Sequence, residues 1–118
     1  MKTKLYIILL LSCLVQTSFG QLTANAGSPK FLCVGTSTTL GGTPTASGGL
    51  PPYTYLWQPS TFLSSNTASN PLAINCNSDV LYKLMVIDAA GDTAINYTSV
   101  NINKIYTFNA GIDTGYCY

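Results

Sequence analysis

The stretch Gly48-Gly49-Leu50-Pro51-Pro52-Tyr53-Thr54-Tyr55-Leu56-Trp57-Gln58-Pro59 constrains the fold of this chain more than any other. A Gly/Pro turn runs directly into an alternating aromatic segment. Tyr53, Tyr55 and Trp57 fall on one face of a strand, because successive side chains point to opposite sides. Proline has no N–H to give to a sheet, so the flanking prolines fix where that strand starts and stops. Trp57 is the one tryptophan of the chain. It is the expected centre of the core, with Tyr55 and Tyr82 as further core anchors.

The rest of the chain reads as short strands between turn signals, with no helical periodicity after residue 20. Ala24 to Val34 is a first extended segment, kinked at Ser28-Pro29, and Ser37 to Leu40 a second. Residues 43–52 and 59–70 read as loops, and Pro71 to Ile74 as a short strand. Val80 to Asp88 alternates, with Tyr82, Leu84 and Val86 on one face and Lys83, Met85 and Ile87 on the other. Ala89-Ala90-Gly91 turns the chain, Gly91 being free to take positive φ. Thr93 to Asn103 returns with Thr98, Val100 and Ile102 facing inward. Asp79, three residues before Tyr82, matches the corner at which a tyrosine hydroxyl bonds back to the backbone of a sandwich. The expected fold class is therefore an all-β sandwich of about seven short strands.

The first twenty residues stand apart from this pattern. Met1-Lys2-Thr3-Lys4 is a basic start, Leu5 to Leu11 is apolar, and Ser18-Phe19-Gly20 is a small-residue cleavage site. That is the pattern of a secretory signal peptide, too short for a membrane span, with cleavage between Gly20 and Gln21. A second reading takes Leu10-Leu11-Ser12-Cys13 as a lipobox with Cys13 acylated. No later apolar stretch is long enough to cross a bilayer. Past residue 20, three lysines (Lys30, Lys83, Lys104) stand against four aspartates (Asp79, Asp88, Asp92, Asp113), a net charge of −1. That balance offers no basic patch for nucleic acid or anionic lipid.

Asn25-Ala26-Gly27, followed by Cys33, is echoed by Asn109-Ala110-Gly111, followed by Cys117, at an offset of 84 residues. A fixed period of this size marks tandem domains. The expected organisation is a signal peptide at 1–20, one complete domain at 22–108, and at 109–118 the first strand of a second repeat. Taken together, Ala26-Gly27, Cys33-Val34-Gly35, Thr39-Leu40-Gly41-Gly42, Ser47 to Pro59, Asn70-Pro71-Leu72 and Tyr82 to Gly91 resemble a repeated immunoglobulin-like module. Such modules occur in large surface proteins of gliding Gram-negative bacteria that use type IX secretion. Tyr82 to Gly91 also looks like the closing hairpin of the polycystic-kidney-disease (PKD) domain. The Trp-Asp-Phe-Gly-Asp-Gly signature of that domain is replaced here by Trp57-Gln58-Pro59. The resemblance covers essentially the whole chain after residue 20. It implies a bacterial protein, secreted or at the cell surface, with an adhesin-type role.

The chain contains no His, no Arg and no Glu. That removes most nucleophile–base pairs, guanidinium phosphate clamps and paired glutamate sites, so no catalytic residues and no cofactor are expected. A Ser–Lys dyad stays formally open, but no spacing supports one. Cys33, Cys76 and Cys117 form no Cys-x-x-Cys pair, which argues against zinc. Asp88 and Asp92 flank the hairpin turn. They could approach a calcium ion, or simply favour the turn as Asp does beside Gly. Export makes Cys33 and Cys76 the expected disulfide, stabilising by roughly 4 kcal/mol on loop entropy, with two buried thiols as the alternative. Cys117 is left unpaired.

Tyr97 and Tyr106 are the candidate ligand-facing aromatics, although aromatic residues in short strands are also cross-strand packing groups. The expected role is a spacer or a protein- or glycan-interaction unit whose partners are similar repeats, other surface proteins or glycans. Two alternatives stand beside it. One is a carbohydrate-binding module of a secreted hydrolase. The other is a filament subunit that self-associates by adding its C-terminal strand to a neighbour.

Overall fold

The computed structural model describes residues 19–103. Eight strands make up the regular structure: β1 (Thr23–Ala24), β2 (Lys30–Cys33), β3 (Thr36–Thr39), β4 (Ala46–Ser47), β5 (Thr54–Gln58), β6 (Leu72–Cys76), β7 (Val80–Ile87) and β8 (Thr93–Asn103). No helix occurs among the described residues, and none there is long and apolar enough to cross a membrane. The fold is an immunoglobulin-like β-sandwich.

One layer is a four-stranded sheet in the order β2-β8-β7-β5. β7 and β8 form its spine, antiparallel from Val80 opposite Val100 to Ile87 opposite Thr93. Their hairpin closes through Gly91, whose φ of 90° suits a residue without Cβ. β5 pairs antiparallel with β7, setting Trp57 opposite Leu84. β2 runs parallel to β8, Lys30 opposite Val100. The facing layer consists of two short pairs, β1 with β4 and β3 with β6. The Gly41 N–H donates to the Ala26 carbonyl at 3.1 Å and the Gly42 N–H to the Asn25 carbonyl at 2.9 Å, and these bonds join the two pairs. β4 lies inside the segment expected to be a loop, and Thr23 and Ser47 share a hydroxyl contact of 2.6 Å across its pairing with β1.

The alternation along β7 and β8 puts Tyr82, Leu84, Val86, Thr98, Val100 and Ile102 inside. From the other layer Leu40, Ala46, Ala73 and Cys76 meet them, and Trp57 is fully enclosed. Burying such side chains is worth about 1.5–3 kcal/mol each for the large apolar ones. Both large aromatics carry a polar atom that must be satisfied inside. The Trp57 indole N–H donates to the Ala68 carbonyl at 2.9 Å, and the Tyr82 hydroxyl to the Thr61 carbonyl at 2.6 Å. Both acceptors lie in the β5–β6 connection, so the core aromatics pin that loop down. The Tyr82 hydroxyl thus reaches a segment 21 residues upstream rather than its own corner. Asp79 instead accepts the Ile102 N–H at 2.6 Å, at the far end of β8.

β6 departs from strict alternation. Thr36 stands opposite Cys76 and Thr38 opposite Ala73, so β6 carries one extra residue there. Asn75 adopts φ 52° and its N–H is held by the Ser37 hydroxyl at 3.0 Å. This bulge turns both Ala73 and Cys76 inward. The Cys33–Cys76 disulfide expected from the sequence is therefore not made: Cys76 is a free thiol, enclosed in the core. Cys33 sits at the end of β2 in the other sheet and is disulfide-bonded elsewhere.

Candidate interaction face

Two regions carry the chemistry that the sequence singled out. The first is the end of the sandwich where the β7–β8 turn meets the Gly48–Tyr53 segment. Asp88 organises it. One carboxylate oxygen accepts the N–H groups of Ala90 and Asp92 at 2.9 Å each, and the other accepts the Leu50 N–H at 2.9 Å. These amide donors, that of Leu50 foremost, hold the Asp88 carboxyl below the ordinary carboxylate range although burial opposes them. The Ala89 N–H returns a bond to the Leu50 carbonyl at 2.8 Å, and the Tyr53 hydroxyl donates to the Gly48 carbonyl at 2.6 Å. Gly48 has φ 70°, and a Cβ there would run into the Gln21 carbonyl. The Gly20 carbonyl accepts the Gly49 N–H at 2.6 Å. Gly20 and Gln21, the residues flanking the expected cleavage point, thus lie against this turn.

Both Asp88 oxygens face N–H donors, an environment that repels a cation, so Asp88 is the keystone of the turn. Among the described residues no three acidic or cysteine side chains gather into a metal-binding group. A cleft of about 470 Å³ opens beside Asp88, lined by Phe19, Gly20, Leu22, Leu50, Asp92 and Thr93 among others. Among the described residues that line it, the ionised groups are the Asp88 and Asp92 carboxylates.

The second region is the outward face of the four-stranded sheet. Register places Gln58, Lys83 and Tyr97 in one row across β5, β7 and β8, and Leu56, Met85 and Ile95 in the next. Leu81 stands beside Ser99, and Phe31 beside Asn101. Tyr97 is 57 % exposed, Phe31 62 % and Leu81 65 %, so the face presents apolar and aromatic side chains to solvent. Strands about 4.8 Å apart make the Gln58–Lys83–Tyr97 row about 10 Å wide. The row offers an amide, an ammonium and a phenol ring side by side. Alternation along β2 directs Phe31 outward and Leu32 onto the core, which puts Cys33 on the outward side as well.

The neighbouring Asn96 serves the fold: its side-chain oxygen accepts the Ala26 N–H at 3.3 Å. Tyr55 is half-buried against the core, and burial, together with nearby Tyr53, raises its phenol pKa. Burial pushes the Tyr82 phenol up to about 12 and raises the Cys76 thiol. Sequence reasoning missed Asp88 as the anchor of the Gly48–Leu50 segment. Gly-Gly-Leu-Pro-Pro signals a tight turn, but nothing in it names a partner 38 residues away. Tyr106, Cys117, Lys104, the repeat start at 109–118 and the leader up to residue 18 lie outside the described residues.

No protein-family model and no curated protein matches the chain. Solved structures do. The solution structure of the PKD domain from the KIAA 1837 protein superposes with a TM-score of 0.59 at 22 % identity, covering 81 % of this chain and 98 % of that one. The PKD domain of human KIAA0319 gives 0.54 at 14 % identity, covering 83 % and 95 %. At such identities the likeness concerns architecture: the chain has the fold of a PKD domain.

Proposed function

We propose that this chain is a non-catalytic PKD-like module of an exported bacterial protein, secreted or displayed at the cell surface, acting as a spacer or interaction unit of an adhesin-type array. The observation that carries this reading is where the chain enters and leaves. Gly20 lies beside the β7–β8 turn, whereas Asn103 ends an 11-residue β8 that starts at that turn. Entry and exit are therefore separated by the length of the strand, about 33 Å at about 3.3 Å per residue. Modules built this way string end to end. The resemblance of Ser47 to Pro59 and Tyr82 to Gly91 to repeats of type IX-secreted surface proteins supports the setting. The partners proposed are other such repeats, surface proteins or glycans. Small-angle scattering on two copies joined in tandem tests the spacer role. An extended particle roughly twice as long as one copy is expected, and a compact side-by-side pair refutes it.

A glycan-binding module is the second reading, favoured by the exposed Gln58–Lys83–Tyr97 row. NMR titration with soluble oligosaccharides should then shift Lys83 and Tyr97 resonances, and Tyr97→Ala should abolish the shifts.

A further inference from the structure

We infer that the glycan taken by the outward sheet face is an acidic one, the Lys83 ammonium pairing with the carboxylate of a uronic acid whose ring lies on Tyr97. This rests on the glycan-binding reading of that row and names its ligand class. Register sets Lys83 between Gln58 on β5 and Tyr97 on β8, both uncharged side chains. The row on one side (Leu56, Met85, Ile95) and the Leu81–Ser99 pair on the other are uncharged as well. Lys83 makes no hydrogen bond or ion pair among the described residues. Asp79, Asp88 and Asp92 each lie four or more residues along the strands from the row, about 13 Å or more at about 3.3 Å per residue. Charges that far apart are largely screened at ordinary salt. Asp79 and Asp88 are also engaged, with the Ile102 amide and with the Leu50 turn. The half-buried Lys83 stem lies along the sheet while its head reaches water, so the face carries one positive charge that nothing in the fold neutralises.

The placing of that charge selects the ligand. Opposed residues on neighbouring strands have Cβ atoms about 5 Å apart, so the ammonium stands at the edge of the Tyr97 ring. The C–H face of a pyranose suits the electron-rich face of that ring, which is 57 % exposed. The carboxylate of a uronic acid is joined to its ring by one C–C bond. It therefore stands at the ring's rim, where the ammonium is, whereas a sulfate ester projects farther on an added oxygen. On the other side of Lys83 the Gln58 amide offers a donor and an acceptor to the hydroxyls of the adjoining sugar. A single cation is too little for a phosphate polymer, whose binding grows with the number of phosphates neutralised. One solvent-facing ion pair contributes modestly, so the acid should gain about three- to fivefold in affinity over a neutral ring of the same shape. Copies in tandem would multiply that gain.

The test is an NMR titration of the full mature chain with oligomers of galacturonic acid and of mannuronic acid, each beside its methyl ester. Esterification removes the charge and keeps the rings and linkages. An acid oligomer should shift the Lys83 and Tyr97 resonances and bind about three- to fivefold tighter than its ester at about 20 mM salt, the advantage vanishing at about 500 mM. Lys83→Gln should abolish the preference for acid over ester, and Lys83→Arg should keep it. Equal affinity of the parent for acids and esters overturns the inference and leaves the glycan-binding reading standing. No shift with any acid or ester overturns both. A preference for acid that survives in Lys83→Gln, or tighter binding of a sulfated oligosaccharide than of either uronate, likewise overturns the pairing of Lys83 with a ring carboxylate.

Discussion

The Asp88 carboxylate accepts the Leu50 amide at 2.9 Å across 38 residues of chain, fastening the Gly48–Tyr53 segment to the β7–β8 turn. Because its folded pKa lies below that of the unfolded chain, Asp88 binds a proton more readily after unfolding. Its stabilising contribution is therefore complete above the unfolded carboxylate pKa and is lost as pH falls through the depressed folded value. Urea midpoints measured from pH 7 down to 2 should fall in the acid range, and Asp88→Asn should flatten that limb while lowering the neutral midpoint. An unchanged acid limb in Asp88→Asn would remove Asp88 from the account.

Tyr82 and Trp57 should separate packing from hydrogen bonding. Tyr82→Phe removes the 2.6 Å bond to Thr61 and should cost about 1 kcal/mol. Trp57→Ala leaves a cavity at the centre of the sandwich and should cost about 3–5 kcal/mol, enough to threaten folding. In spectrophotometric titration Tyr82 should be among the last phenols to ionise, near pH 12.

Cys76 should behave as a core thiol. With burial raising its pKa, it should resist Ellman's reagent in the native protein at pH 8 and react fully once denatured. Fast native reaction would mean that the Asn75 bulge does not turn it inward.

Gly48→Ala should destabilise by about 1–3 kcal/mol, since an Ala at φ 70° is strained and its Cβ meets the Gln21 carbonyl. Gly91→Ala is the control. Its φ of 90° is also left-handed, but nothing stands within contact of a Cβ there, so it should cost less. Equal losses by thermal melts would show that backbone strain alone, without the collision, accounts for both.

By itself the sequence determined the elements that obey a local period. The alternation of Tyr82, Leu84 and Val86 against Thr98, Val100 and Ile102, the Gly91 turn and the proline-bounded strand around Trp57 follow from side-chain period and backbone chemistry within a few residues. Those rules also sufficed for the sandwich. Tertiary structure alone decided what depends on contacts distant in sequence. One extra residue in β6, left-handed at Asn75 and held by the Ser37 hydroxyl, reverses the parity of Cys76 and sends it into the core instead of to Cys33. The Asp88–Leu50 bond and the Trp57 and Tyr82 bonds into the β5–β6 connection are of the same kind. Their donors and acceptors lie 11 to 38 residues apart, and no propensity or spacing rule selects an acceptor at that range until the sheets have packed.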